Sequence, residues 1–359
     1  MRASAPKPAF LDFFAGSGLV CEGLSEHFTP VWANDVCPRK AAVFRANRPS
    51  ELFRLGPIQE VDGRTLPEAC LSWGSFPCQD LSLAGKIGGI GAARSGLVWE
   101  WLRVMDEMPR RPPIAVAENV LGLLSAGQGS HYRALHRALA ERGYKIGAMV
   151  LDAARWLPQS RQRVFVVAAR QELDTAALED EGPNWLHPAP VRRAAAGLKQ
   201  WVWWRMPEPP ARSVALEDLI DFAAPCFDEA SAARLIALIP ENHRRKMEEA
   251  GGKGSAVFPA YKRIRASGQV LELRFDGLAG CLRTPGGGSS KQFLVLREGG
   301  STRARLMTVG EAAALMGVPR GYAIPGGAAA GYRAMGDAVA VPVARYLARR
   351  LLAPLARIA

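Results

Sequence analysis

Along its first 170 residues the chain alternates short apolar runs with stretches whose apolar positions recur at three- and four-residue spacing. PAFLDFFAG reads as a strand ending in a glycine turn, and GLVCEGLSEHF as the helix that follows. TPVWANDV and CPRKAAVFRANRP repeat the pair. ACLSWGSFP is a third strand, separated by a glycine-rich stretch from the helical SGLVWEWLRVMDEMP, and PIAVAENV with HYRALHRALAERGY makes a fourth pair. KIGAMVLDAARWL and RQRVFVVAAR predict two more strands, adjacent and antiparallel. Repeated strand–helix units predict an α/β fold: an open, mostly parallel sheet with helices on both faces.

After Arg170 the period is lost. Residues 171–215 are rich in Pro, Trp and acidic side chains; a helical piece around Phe227–Ile239, a basic segment and a strand-like VLELRFDG follow. This predicts a separate, irregular module. A helix pattern resumes at Thr308 (TVGEAAALMGVP), and AVAVPVARYLARRLLAPLARI reads as a final helix. The expected division is 1–170, 171–300 and 301–359, with the last segment completing the first domain. The cluster Trp201, Trp203, Trp204 reads as packing rather than base stacking.

Composition narrows the class. The 359 residues, 48% hydrophobic and 22% charged, contain no run of about 18 apolar residues and no secretory h-region, so a cytoplasmic location with no membrane partner is expected. No two of the six cysteines have C-x-x-C spacing and the five histidines are scattered, which argues against structural zinc and a disulfide framework. A net charge of +12 suits a polyanionic partner, although a GC-rich genome would also inflate arginine. Its distribution says more: His243–Arg265 holds seven Lys/Arg against two Glu, and 301–359 holds eight Arg against Glu311 and Asp337.

The strand ends carry the chemistry. In FLDFFAGSGL, Gly16 and Gly18 allow close backbone approach of a ligand where the first strand turns into a helix, and Asp35 at the tip of the second strand is placed to accept from ribose hydroxyls. Together they suggest an adenosine-containing ligand such as S-adenosylmethionine. The third strand ends in Phe76-Pro77-Cys78-Gln79 and the fourth in Glu118-Asn119-Val120, so a thiol and a carboxyl group face the same sheet edge. An ionised cysteine is a strong nucleophile, and a glutamate of raised pKa can share a proton with a heterocycle. A thiol, an acid and a methyl donor suggest attack on an electron-poor ring that is then methylated.

With DFFAGSG, SFPCQ, AENV, QSRQR at 159–163, RLMTVGEAAALMGVP and GDAVAVPVA in that order, the chain closely resembles the DNA (cytosine-5) methyltransferases of the bacterial or phage modification type. The resemblance implies a Rossmann-like sheet binding S-adenosylmethionine, a smaller target-recognition domain at 171–300, no metal, and double-stranded DNA as substrate. It implies that Cys78 adds to C6 of a flipped-out cytosine, that Glu118 acts at N3 and the exocyclic amine, and that Arg161 and Arg163 lie in the same pocket. For the cofactor it points to Phe14, Gly16, Gly18, Asp35, Pro77 and Asp337. Asn119 would hold the loop carrying Pro77 and Cys78, and Gly85, Gly88, Gly89, Gly91 and Gly96 would let that loop close. Gln79, Ser82, Lys86, Arg94, Arg244, Arg245, Arg263 and Arg283 are the expected substrate contacts. A monomer is expected, with a cognate restriction endonuclease acting separately on the same site.

Three positions depart from the family pattern. Pro57 stands where an acidic residue commonly faces the adenine amine, which leaves adenine recognition to another group. Gly336-Asp337 replaces Gly-Asn, and Cys281 precedes the glycine run at 286–288 where a small hydroxyl residue is common. Other readings are a tRNA cytosine-5 methyltransferase, a catalytically silent DNA-binding relative, and a small-molecule methyltransferase. The length of the recognition region disfavours the first, the intact Cys78 and Glu118 the second, and the basic second half the third.

Overall fold

In a computed structural model, which describes residues 6–77, 96–250, 255–266, 268–284 and 291–359, the apolar runs of the first half form one seven-stranded sheet. Its strands are β1 (Ala9–Phe13), β2 (Thr29–Asp35), β3 (Phe53–Leu55), β4 (Leu71–Gly74), β5 (Ile114–Asn119), β6 (Tyr144–Asp152) and β7 (Gln162–Arg170), in the spatial order β3-β2-β1-β4-β5-β7-β6. The first five are mutually parallel, and β7 runs antiparallel to both β5 and β6. The reversal of order at β1 makes its C-terminal edge a topological switch point, where open α/β sheets bind ligands.

Helices α1 (Leu19–Leu24), α2 (Pro38–Asn47) and α3 (Leu97–Glu107) are among those that cover this sheet. α3 is amphipathic and buries Val98, Trp101, Leu102, Val104 and Met105 in a core shared with Leu11, Phe13 and Ala117. The fit at β4 needs a residue without a side chain: a Cβ on Gly74 would lie 3.1 Å from the Trp101 ring, whose Nε1 donates to Ser72 Oγ at 2.9 Å. Beyond β7, β8 (Glu179–Asp180) pairs with β9 (Trp203–Trp204), and Trp204 is fully buried with its Nε1 donating to Val167 O at 3.0 Å.

By compactness the chain divides into two units. The first comprises Met1–Asp152, Gln162–Pro209 and Val343–Ala359, and the second Ala153–Arg161 and Pro210–Pro342. The first therefore runs past residue 170 and regains the chain after residue 342. The second, expected to be irregular, carries an antiparallel sheet of β10 (Ala256–Arg265), β11 (Gly268–Leu273), β12 (Phe293–Glu298) and β13 (Ser301–Leu306), ordered β11-β10-β12-β13. Phe258, Ala260, Leu271 and Val295 from this sheet pack with Leu235 and Met247 of the helices Glu229–Ile236 and Glu241–Ala250. Among the described residues no helix is long and apolar enough to cross a membrane, and no cluster of His, Cys, Asp or Glu is suited to a metal ion.

Candidate active site

At the β1–α1 turn the backbone leaves ordinary φ/ψ space three times within five residues. Phe14, Gly16 and Gly18 have φ of 59°, 57° and 82°. A left-handed conformation is free for glycine and costs about 1–3 kcal/mol for phenylalanine, a strain that gathers at functional sites. The turn is pinned from the neighbouring strand, because Ala15 N donates to Asn34 O at 2.8 Å and Gly16 N to Asp35 Oδ2 at 3.0 Å. Asp35 Oδ1 accepts from Cys37 N at 2.8 Å. A carboxylate offers about four acceptor positions, so two remain for a ligand's hydroxyls. Next to Asp35, Val36 is 66% exposed, an apolar side chain at the sheet edge that sequence inspection missed. Its only sequence signal is its place directly after the acidic strand tip.

Beneath this turn Asp12 is fully buried and accepts a hydrogen bond from Cys21 Sγ at 3.2 Å. Burial pushes the Asp12 carboxyl up to about 7, opposed by the Cys21 bond and by Arg48, and pushes the Cys21 thiol well up too. Cys21 is thus an inert core thiol in the sense that matters here: its thiolate is strongly disfavoured.

On the other side of β1, the adjacent parallel strands β4 and β5 carry the second half of the site. Asn119 Nδ2 donates to Phe76 O at 2.9 Å, while its Oδ1 accepts from Val120 N at 2.9 Å. That bond fixes the backbone immediately ahead of Pro77. Glu118, buried at the end of β5, faces Arg163 at the start of β7, with Arg163 Nε 3.3 Å from Glu118 Oε1. The antiparallel pairing of the two strands, Glu118 opposite Phe165 and Asn119 opposite Val164, brings the arginine alongside the acid. Cys78, Gln79, Ser82, Lys86 and Arg94 lie outside the described residues, as do Gly85, Gly88, Gly89 and Gly91; Gly96 is the residue just before α3.

Arg161 is held by several backbone carbonyls. It is buried in the second unit, and its guanidinium donates to Leu282 O at 2.9 Å, Gly336 O at 2.9 Å and Ala338 O at 2.6 Å, with Cys281 Sγ at 3.4 Å. Gln159 works with it, donating to Leu315 O at 2.6 Å and accepting from Leu282 N at 3.2 Å. Through these two residues QSRQR fastens several backbone segments of the second unit. Asp337 accepts from Thr284 Oγ1 within the second unit. Elsewhere in that unit Arg245 lies 3.9 Å from Glu249, the Arg263 guanidinium is 4.9 Å above the Tyr261 ring, Arg244 is half-buried and Arg283 is exposed.

A family model of the C-5 cytosine-specific DNA methylases matches residues 9–353. The chain belongs to that family. It is therefore an enzyme of the cytosine-5 methyltransferase class, with the Rossmann-like sheet the motifs imply. Among its relatives, the Type II methyltransferase M.NlaX of Neisseria lactamica is 25% identical over 355 residues, covering 97% of each chain. M.NgoFVII of Neisseria gonorrhoeae is 32% identical over 212 residues, a match that spans 56% of this chain and 53% of that relative. The fold is shared with S. pombe Dnmt2 methyltransferase, TM-score 0.58 at 17% identity over 98% of this chain and 99% of that one, and with a Spodoptera frugiperda DNMT2 variant, TM-score 0.61 at 16% identity over 96% and 99%.

The methyl donor implied by the family is S-adenosylmethionine, and the residues present suit it. Gly16 and Gly18 leave no Cβ over the turn, Asp35 keeps acceptor capacity beside it, and Val36 offers an apolar surface at the same edge.

Proposed function

We propose that the protein methylates C5 of a flipped-out cytosine in double-stranded DNA, at a specific short sequence, through a covalent adduct between Cys78 and C6. What supports this most is the tie from Asn119 to Phe76 O beside the Glu118–Arg163 pair, which joins the end of β5, with its buried acid, to the segment that leaves β4. In this reading the Cys78 thiolate forms a bond to C6, and the ring electrons move toward N3 and C5. Glu118, oriented by Arg163, meets N3 and the exocyclic amine and stabilises the charge developing there. S-adenosylmethionine, when bound, supplies the electrophilic methyl group. Loss of the C5 proton to a base then expels Cys78 and restores the aromatic ring.

Phe14, Gly16, Gly18 and Asp35 would hold the adenosine portion, with Pro77 beside the transferring methyl and Asp337 toward the methionine end. Residues 171–300 would read the target sequence, with Arg244, Arg245, Arg263 and Arg283 among the DNA contacts, and Ser82, Lys86 and Arg94 on the closing loop. The protein would act as a monomer in the cytoplasm beside a separately acting endonuclease. Arg161 and Arg163 would lie in the pocket that receives the base.

Base-resolution cytosine mapping of DNA from cells expressing this chain, with a Cys78→Ala control, tests the reading. C5 methylation within one short sequence, lost in the control, is the expected result. Identical maps would overturn it, and methylation confined to the RNA of the same cells would move the substrate to RNA.

A further inference from the structure

The sheet order places the base of a bound nucleoside. If Asp35 at the tip of β2 takes the ribose, and the reacting end points toward β4 and β5, the base extends the other way, over the tip of β3. The chain there is Gly56-Pro57-Ile58-Gln59-Glu60, and it is built rather than loose. Gly56 N donates to Asp35 O at 3.1 Å, and Asn34 Nδ2 bridges Arg54 O and Gly56 O at 3.0 and 2.8 Å. Ile58 is buried, and from below Arg103 of α3 donates to Ile58 O at 3.2 Å and Val61 O at 3.1 Å. Arg103 is itself held by Glu100 and Glu107.

Position 57 cannot accept a hydrogen bond through its side chain, because it is proline. Residues 58–60 form a 3₁₀ turn that follows Pro57, with Glu60 N donating to Pro57 O at 3.1 Å. Pro57 caps this turn in an extended conformation, and Glu60 is the turn's last residue. Its carboxylate lies back over the strand tip: a Cβ built on Gly56 would be 3.7 Å from Glu60 Oε2. No hydrogen bond or ion pair engages that carboxylate among the described residues, and the side chain is exposed.

We propose that Glu60 accepts the exocyclic amine of the cofactor's adenine, supplying from one turn further along the acceptor that Pro57 lacks. The inference rests on the cofactor placement proposed above. It makes Glu60 a specificity residue for adenine over a purine bearing a carbonyl at the same carbon, because that carbonyl would face a carboxylate and lose a charged hydrogen bond.

The test is calorimetric titration of the full chain with S-adenosylhomocysteine and with S-inosylhomocysteine, in which a carbonyl replaces the amine. The wild type is expected to bind the adenosine compound about tenfold tighter or more. Glu60→Ala should bring the two affinities close together, and Glu60→Gln, whose amide can donate to the carbonyl, should do so or reverse the order. Discrimination unchanged in both variants, or absent in the wild type, overturns the proposal. Failure of the wild type to bind either compound would instead overturn the cofactor placement, and this proposal with it. Glu60 is exposed, so both variants should retain the wild-type melting temperature, which is measured alongside.

Discussion

Asn119 donates from its side-chain nitrogen to the main-chain carbonyl of Phe76, joining the end of one strand to the segment that leaves its neighbour. Phe76 is buried and Pro77 follows it, so this bond holds the backbone just ahead of Pro77. Asn119→Asp removes the donor and places a carboxylate against a carbonyl. A misplaced reacting group costs on the order of 100-fold in rate, so kcat for DNA methylation should fall by about that factor while affinity for S-adenosylhomocysteine stays within about twofold. Single-turnover kinetics and calorimetry on the same preparation separate the two.

Arg163 is a charged partner of Glu118, which is nearly solvent-free. Arg163→Ala would remove this contact from a buried acid. Methylation at pH 7 should drop on the order of 100-fold or more, and Arg163→Lys should recover only part because the lysine is a point charge without the planar fork. If Arg163→Ala keeps full activity, the pair has no part in the chemistry.

Asp12 gives the fold a pH dependence of defined sign. Its carboxyl titrates near 7 in the folded chain, chiefly because it is buried, and near 3.8 when unfolded. Between those values the folded state holds a proton that the unfolded state releases, so this residue's contribution to stability falls as pH rises from about 4 to 7 and is level above. The full span corresponds to about 4 kcal/mol. Asp12→Asn should abolish the slope, so its melting temperature relative to wild type should rise across pH 5 to 8. A constant difference between the two melting curves would show that Asp12 does not titrate there.

Within the second unit Arg305 and Glu311 form a buried ion pair, 2% and 3% exposed, and Glu311 also completes the capping box at Thr308. Glu311→Gln should cost about 3–5 kcal/mol by stranding the arginine. The double replacement Arg305→Met with Glu311→Gln should cost less than the single one. Urea denaturation of the full chain, followed by tryptophan fluorescence and hydrogen exchange of 301–316, reads both.

The first half of the fold was legible because its strands are continuous apolar runs, each followed by a helix, and a sheet buried on both faces leaves that trace. The places of Asp35, Glu118 and Asn119 at strand ends were legible for the same reason: they sit where those runs end. The second unit's sheet was not, and β10 shows why. AVFPAYKRIR carries a proline at its fourth position and four polar or charged residues near its end, both signals against a central strand. Yet β10 lies between β11 and β12, with Pro259 O accepting from Arg274 N at 2.8 Å. β3 is only three residues long, below what periodicity can detect.

The return of residues 343–359 to the first unit orders events on the ribosome. Everything from Pro210 to Pro342 must be synthesised before the last stretch of that unit emerges, so the nascent first unit stays incomplete while the smaller unit, apart from Ala153–Arg161, is made in one continuous stretch. Chaperone dependence during translation should therefore track the first unit, and a stop codon shortly after residue 342 should yield a chain in which the smaller unit is protected from protease and the larger one is not.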